Sequence, residues 1–399
     1  MGNSFVLREF YCNKDEVKIY TREYLPEGAD LESGKYQAMI LCHGFGDDCD
    51  GIKRECEHFA SIGYAVYSFD FCGGSAPDRG GRSDGADIDM TIRSETEDLL
   101  TVFEYVKSLS YTDNEHITFM GFSQGGFISN LAAAKCPEEV ENLVLVFPAL
   151  CIPDHARLGC LGGGHYDPNV TPEKIECPNG MTLGKQFFYQ ASYLDPFKEM
   201  AVYKGRVLLV HGMEDPVVNY SYSIKASKSF SSAKECHLVL IRNAGHGFDE
   251  EKTESLYIAT EHFLTYRKEL LTIQVFVTGL QEVPSDTDES PEGELIKKQE
   301  VYFTGYCDNE IFKGSINPEG VDTQRIYKDG SVVLHADYSL VGIDKDNNKA
   351  SLHVINEKKG DRFKPVIDTD NNNLLFLNKT DLTAAIEGFN GGLTVRIWG

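Results

Sequence analysis

The sequence predicts an α/β fold, a doubly wound and mostly parallel sheet with an inserted cap, followed by a smaller all-β, barrel-like domain. Three observations predict it. From about Tyr36 to Leu271, short β-branched or aromatic runs alternate with longer amphipathic ones. A Gly- and Pro-rich interval between Phe147 and Arg206 breaks that rhythm, and beyond Leu271 the helical segments stop. Strands that are apolar throughout and separated by helices indicate a parallel sheet covered on both faces. Short strands with frequent turns and almost no helix indicate a sandwich or small barrel.

Taken in order, Phe5–Tyr11 and Val17–Leu25 read as an antiparallel edge hairpin. The sheet strands are expected at Tyr36–Cys42, Tyr64–Asp70, His116–Met120, Asn142–Phe147, Arg206–His211 and Cys236–Ile241. Helices are expected at Ile52–Ile62, Ser94–Leu109, Gly126–Lys135, Tyr222–Ser229 and Glu251–Leu270. The interrupting interval carries Gly162-Gly163-Gly164, Pro168, Pro172 and Pro178 and follows a strand's C-terminal end, where open α/β sheets bind ligands. It reads as a cap over residues of about 148–203 within a first domain of 1–270. The second domain, 271–399, shows strand-like runs at Thr272–Gly279, Gln299–Tyr306, Val332–Tyr338, Ala350–Ile355, Leu374–Leu377 and Leu393–Trp398, with an acidic loop at Asp286–Gly293.

The 399 residues, 41% hydrophobic and 11% aromatic, suffice for two cores. A formal charge of −24, from 62 acidic and 38 basic residues, repels phosphate backbones and anionic lipid heads, so neither nucleic acid nor a membrane is an expected partner. The first residues lack the apolar core of a signal peptide, and no run approaches the ~18 apolar residues of a membrane span. Eleven cysteines, an odd number without Cys-x-x-Cys spacing, fit reduced thiols in the cytoplasm.

The chemical signal is Gly121-Phe122-Ser123-Gln124-Gly125, set between an expected strand and an expected helix. A nucleophile on so sharp a turn needs small flanking residues, and the helix N-terminus beneath it favours developing negative charge. A serine hydroxyl needs a base, and the base an orienting carboxylate, in the chain order Ser, acid, His. Asp215 follows the strand Arg206–His211, with Glu214 its nearest rival, and His246 in Ala244-Gly245-His246-Gly247 follows Cys236–Ile241. His43-Gly44-Phe45-Gly46 after Tyr36–Cys42 supplies the Phe45 amide as an oxyanion donor beside that of Gln124. These positions together predict the α/β-hydrolase fold and a serine hydrolase with Ser123, Asp215 and His246 as catalytic residues. No cofactor and no metal is expected: a His43–His211 metal site lacks accompanying ligand spacing. Asp47, Asp48 and Asp50 read as a solvated acidic turn.

On the same residues, together with Phe69-Asp70-Phe71-Cys72-Gly73, His211-Gly212-Met213-Glu214-Asp215 and Gly126, residues 1–270 resemble the feruloyl, or cinnamoyl, esterases of gut bacteria. Monoacylglycerol lipases and serine aminopeptidases belong to the same larger set. The resemblance implies a serine esterase that acts on a small-molecule ester of a hydroxycinnamic acid. It also implies that an aspartate of the cap binds the phenolic hydroxyl, a place held here by Asp154 in Ile152-Pro153-Asp154-His155. Thr182-Leu183-Gly184 matches a further cap pattern and is followed by Phe187, Phe188 and Tyr189, which makes Phe187 and Tyr189 candidates for contact with the acid. An exposed loop aspartate and a cap core are the alternative readings of these residues. Cys72-Gly73-Gly74-Ser75-Ala76-Pro77 departs from the family's Gly-His-Gly-x-Ser run. The C-terminal part is similar to a small β-barrel family without an assigned function, through Phe312-Lys313-Gly314, Gly320-Val321-Asp322-Thr323-Gln324 and His335-Ala336-Asp337-Tyr338. Such a module fits a binding role for carbohydrate or phenolic ligands or the contact of a homodimer. A chain whose β-domain is the functional part, with a vestigial hydrolase, is the competing reading.

Overall fold

The computed structural model describes residues 5–170, 172–265, 269–284, 295–359, 362–389 and 391–399. The chain divides into two compact units, Met1–Gly247 and Phe248–Gly399.

The first unit opens with the expected hairpin, β1 (Phe5–Lys14) against β2 (Val17–Pro26), turned through Asp15 at φ 54°. Then follow β3 (Tyr36–Cys42), α1 (Lys53–Ser61), β4 (Ala65–Phe69), α2 (Ile92–Ser108), β5 (Thr112–Phe122), α3 (Gln124–Lys135) and β6 (Asn142–Val146). The cap comprises α4 (Ile152–Leu158), the short strands β7 (Cys160–Leu161), β8 (Gly164–His165), β9 (Lys174–Glu176) and β10 (Thr182–Gly184), then α5 (Lys185–Tyr193) and α6 (Pro196–Met200). The sheet resumes with β11 (Arg206–Gly212), α7 (Ser221–Ser227) and β12 (Glu235–Ile241).

The strand order is β1-β2-β4-β3-β5-β6-β11-β12. β2 runs antiparallel to β4, and every pair from β4 to β12 is parallel. β4, β6 and β11 are buried at every residue, as a sheet covered on both faces requires, which is why their apolar runs are continuous rather than alternating. Helix α2 starts two residues earlier than its apolar pattern suggests because Thr91 and Ser94 form a reciprocal capping box. The cap is packed into the core of the first unit, with Met181, Leu183, Phe187, Phe188 and Ala191 all buried in the same apolar cluster as the sheet strands.

The acidic turn after β3 is not simply solvated. Asp48 is buried and caps its own turn through the Asp50 amide, while Asp50 pairs with Arg22 and Arg82. Arg82 also grips the fully buried Asp70, at the end of β4, through Nε to Oδ2 at 2.8 Å and Nη2 to Oδ1 at 3.1 Å. Burial raises the Asp70 carboxyl, but Arg82 and the Cys49 amide outweigh it and hold it below the usual carboxylate range. This anchor fixes both ends of the Phe71–Ser83 loop, which includes the segment that departs from the esterase pattern.

The second unit begins with α8 (Glu250–Leu264), capped by Asp249. Glu251–Leu270 was expected to be one helix, but α8 stops at Leu264 and a strand begins at Glu269, drawn by pairing with the chain's last strand. The strands are β13 (Glu269–Val283), β14 (Leu295–Asp308), β15 (Phe312–Ile316), β16 (Gly320–Tyr327), β17 (Val332–Asp344), β18 (Lys349–Lys359), β19 (Arg362–Asp368), β20 (Thr383–Phe389) and β21 (Gly392–Trp398). All pair antiparallel, and β13 bonds to both β14 and β21, so the sheet closes into a barrel. Alternation on β13 buries Leu271, Ile273 and Val275 in its interior. Leu374–Leu377, expected as a strand, is largely a 3-10 turn, and the acidic loop Asp286–Gly293 lies outside the described residues. The eleven cysteines are free thiols, all but Cys160 and Cys236 buried, and no helix among the described residues is long and apolar enough to cross a membrane.

Replacing Arg82 with Met leaves Asp70 buried without its partner and should cost about 3–5 kcal/mol in urea unfolding at pH 7. Because the Asp70 carboxyl is lowered in the fold, its contribution is complete above about pH 4 and fades as the solution is acidified below that. The gap between wild type and variant should therefore narrow at pH 3.

Candidate active site

Ser123 joins β5 to α3 at φ 52° and ψ −115°, a backbone conformation that costs a non-glycine residue roughly 1–3 kcal/mol. Three main-chain bonds hold it: its N–H donates to Val146 O at 3.0 Å, and its C=O accepts from Phe127 at 3.1 Å and Ala149 at 2.8 Å. The flanking glycines are demanded by close approach. A Cβ on Gly125 would lie 2.3 Å from Cys42 O, and one on Gly121 would lie 2.3 Å from Gly125 O. The Ser123 hydroxyl caps nothing in α3, so it is free for other partners.

Its partner is His246, whose Nε2 lies 2.9 Å from Ser123 Oγ. The other ring nitrogen, Nδ1, donates to Asp215 Oδ2 at 2.8 Å, which leaves Nε2 to accept the serine proton. The imidazole packs on Phe147, ring centroids 4.8 Å apart, and Phe147 is itself held at φ 35° with its N–H donating to Val210 O. Asp215 Oδ1 accepts from the amides of Val217 and Val218, each at 2.8 Å. His211, fully buried in β11, brings Nε2 to 3.2 Å from Asp215 Oδ2 and 2.9 Å from Val218 O, while its Nδ1 meets Ser223 Oγ at 2.7 Å. Nε2 faces two acceptors, so it carries the ring proton, and Nδ1 accepts from the serine. Burial raises the Asp215 carboxyl, but His211, His246 and the two amides overcome it and hold it well below the usual range. Glu214, the rival acid, is exposed.

The loop after β3 adjoins Ser123. A Cβ on Gly44 would lie 3.4 Å from Ser123 Cβ. His43 is buried and accepts the Phe71 N–H on Nε2 at 3.1 Å, so Nδ1 donates to Gly44 O at 2.8 Å and fixes the peptide that carries the Phe45 N–H. Gly46 exchanges main-chain bonds with Gly74 and Ala76, which gives the departing Cys72–Pro77 segment a bracing role. At Gly46, φ 72°, a Cβ would reach 2.4 Å from Asn179 Nδ2 and 3.1 Å from Met181 Sδ, so the β9–β10 turn of the cap sits directly on this loop.

The structure thus brings together Ser123, His246, Asp215 and the loop bearing Phe45, with Gln124 next in chain. Asp154, on the first turn of α4, accepts from Arg157 at 2.6 Å and from the Tyr222 hydroxyl at 2.8 Å, and its side chain is 45% exposed. The two aromatic candidates fare differently. Phe187 is 1% exposed, part of that apolar core, so it offers no surface to a ligand. Tyr189 is 56% exposed, packs with its ring tilted against Tyr193, and lines a groove with Ile92 and Leu131 of α2 and α3. Helical spacing places residues two apart on different sides of α5, and the sequence run could not say which side was the core. His43 and His211 brace rather than ligate, and no cluster among the described residues has metal-ligating composition.

The profile of the family described as serine aminopeptidase, S33, matches residues 35–161. Est1E from Butyrivibrio proteoclasticus, solved with ferulic acid bound, aligns with a TM-score of 0.58 and 28% identity over 64% of this chain and 98% of that one. The first unit is an α/β-hydrolase domain. Prolyl endopeptidase FAP of Bos taurus is 22% identical over 260 residues, 63% of this chain and 31% of that protein. An uncharacterised 31.7 kDa protein of Escherichia coli is 32% identical over 116 residues, 28% of this chain and 36% of its own length. The chain therefore spans about a third of the length of these curated relatives.

One buried group of the α/β-hydrolase domain lay beyond sequence reasoning. Glu95 of α2 is 1% exposed, and the Gln124 side chain donates through Nε2 to both of its oxygens at 2.9 Å. Burial first, and the Asp98 charge after it, push the Glu95 carboxyl up to about 8 against the opposing Gln124 bond. A carboxyl raised by folding contributes most below its ordinary value near 4.5 and loses that contribution as pH climbs toward 8. Wild type should therefore lose urea resistance between pH 5 and pH 9, and Glu95→Gln, which cannot ionise, should show a flatter profile over the same range.

Proposed function

We propose that the α/β-hydrolase domain is a serine carboxylester hydrolase that acts on esters of hydroxycinnamic acids. The observation that carries the reading is the unbroken chain from Ser123 Oγ to His246 to Asp215, at 2.9 Å and 2.8 Å, beside the loop that presents the Phe45 amide. Ser123 attacks the ester carbonyl as His246 Nε2 takes its proton, and Asp215, ionised and fixed by four hydrogen bonds, stabilises the resulting imidazolium. The oxyanion is held by the N–H groups of Phe45 and Gln124, at the N-terminus of α3, and protonated His246 then passes its proton to the leaving alcohol. Water releases the acid from Ser123 by the same steps in reverse.

The acyl preference rests on likeness to Est1E, whose structure holds ferulic acid, at 28% identity over nearly the whole of that chain. In this reading Asp154 binds the phenolic hydroxyl; a carboxylate has lone pairs beyond those used by Arg157 and Tyr222. An aminopeptidase is the second reading, favoured by the serine aminopeptidase profile over residues 35–161 and the prolyl endopeptidase relative. The two differ in what the cleft must hold, an aromatic acid or a charged amino group.

With methyl ferulate and aminoacyl anilides compared side by side, kcat/KM should favour the ester. Ser123→Ala should lower ester turnover by about 10⁴-fold or more while the melting temperature stays near wild type. Faster turnover of the anilides would replace the esterase reading with the second one. Asp154→Asn should cut the preference for para-hydroxylated over unsubstituted cinnamates by about tenfold, roughly the worth of one hydrogen bond to a charged group. An unchanged preference would remove Asp154 from the acyl pocket.

A further inference from the structure

The interior of the second unit's barrel contains a cavity of about 140 Å³ with apolar walls that include Val275, Val301, Leu334, Ile386 and Val395. Four polar side chains interrupt them: Asp322, Gln324, Tyr338 and Asn356. Two are almost wholly buried, Tyr338 at 5% and Asn356 at 3% exposed. Tyr338 Oη, Asn356 Oδ1 and Asp322 Oδ1 are buried atoms without a hydrogen-bond partner. Buried polar groups are paired in the great majority of cases, so three orphans around one cavity need an explanation.

Register shows that they form one constellation. Asp322 on β16 lies opposite Ala336 on β17, and Ala336 lies opposite Asn356 on β18. The two polar residues therefore flank a methyl group in a single row across three strands, and the small alanine leaves room between them. Tyr338 stands two residues further along the inward face of β17, its ring set edge-on to Phe303 at 5.4 Å. The second Asp322 oxygen is already occupied: Gln324 Nε2 donates to it at 2.7 Å, and Gln299 Nε2 in turn holds Gln324 Oε1 at 2.7 Å. This relay leaves Oδ1 as the oxygen open to a guest.

We propose that this cavity is a binding site for a small, neutral, monocyclic phenol. A cavity near 150 Å³ holds one benzene-sized ring, which sets the size of the guest. The walls suit the ring, one of the Asp322 and Asn356 oxygens accepts the single phenolic proton, and the Tyr338 hydroxyl can donate to the phenolic oxygen. The Asp322 carboxyl disfavours a carboxylate ligand, and the apolar walls disfavour a cation. Nothing in this site depends on the Ser123 machinery, and its ligand need not be the acid of the proposed ester.

Phenol titrated calorimetrically into the full chain should bind at a single barrel site, and benzoate and benzylamine at least tenfold more weakly. Tyr338→Phe keeps the ring and removes the hydroxyl, so the affinity for phenol should fall at least tenfold. Ala336→Leu fills the space between Asp322 and Asn356 and should abolish binding; if that variant does not fold, Tyr338→Phe decides. Absence of any phenol heat with wild type at millimolar concentration would mean that the cavity holds only water, and the proposal fails. It fails equally if phenol binds both folded variants as it binds wild type, or if benzylamine binds better than phenol.

Discussion

Ser123 sits at φ 52° and ψ −115°, and the surrounding first-unit structure is arranged to hold it there. A backbone so unfavourable for a side-chain-bearing residue survives only where its neighbours over-determine it. The determination comes from β6, whose Val146 carbonyl receives the Ser123 amide, and from the start of α3, whose Phe127 amide returns to the Ser123 carbonyl. Packing α3 so near β3 and β5 then excludes any Cβ at Gly121 or Gly125. The pentapeptide is thus a steric consequence of one torsion angle. The strain also keeps Oγ away from the capping role a serine would otherwise take at a helix N-terminus.

Around that point the protein uses buried imidazoles as rigid braces. His43 joins the Phe71 amide to the Gly44 carbonyl, and His211 joins Ser223 to Asp215 and Val218. Each has both ring nitrogens satisfied, which fixes the tautomer and so the orientation of what it touches. Asp215 is left with no freedom, as its two oxygens accept from two amides and two histidines. The Asp70–Arg82 pair acts one layer further out and secures the loop whose Gly74 and Ala76 bond to Gly46.

The barrel solves a different problem. Its closure leaves no free sheet edge among β13, β14 and β21, and its inward residues are mostly aliphatic. Against that background Asp322, Tyr338 and Asn356 stand out, because a barrel filled for stability alone would carry apolar side chains at those inward positions.

The sequence by itself determined the strand and helix alternation of the first unit, the tight turn at Ser123, and the chain order of Ser123, Asp215 and His246. These are local matters: a glycine-flanked turn, an apolar run and a loop after a strand are written within a few residues. Helix α8 ended early because a pairing partner far along the chain, not local pattern, decides where β13 begins, and Leu374–Leu377 became a turn that buries Leu374 and Leu377 in the barrel core. The same holds for the side chains. That His43 and His211 are braces, that Glu95 lies under Gln124, that Phe187 is core while Tyr189 is exposed, and that Asp322 and Asn356 share a row are facts of tertiary register. Burial and hydrogen-bond partners belong to residues brought together from distant segments, and no single segment contains both.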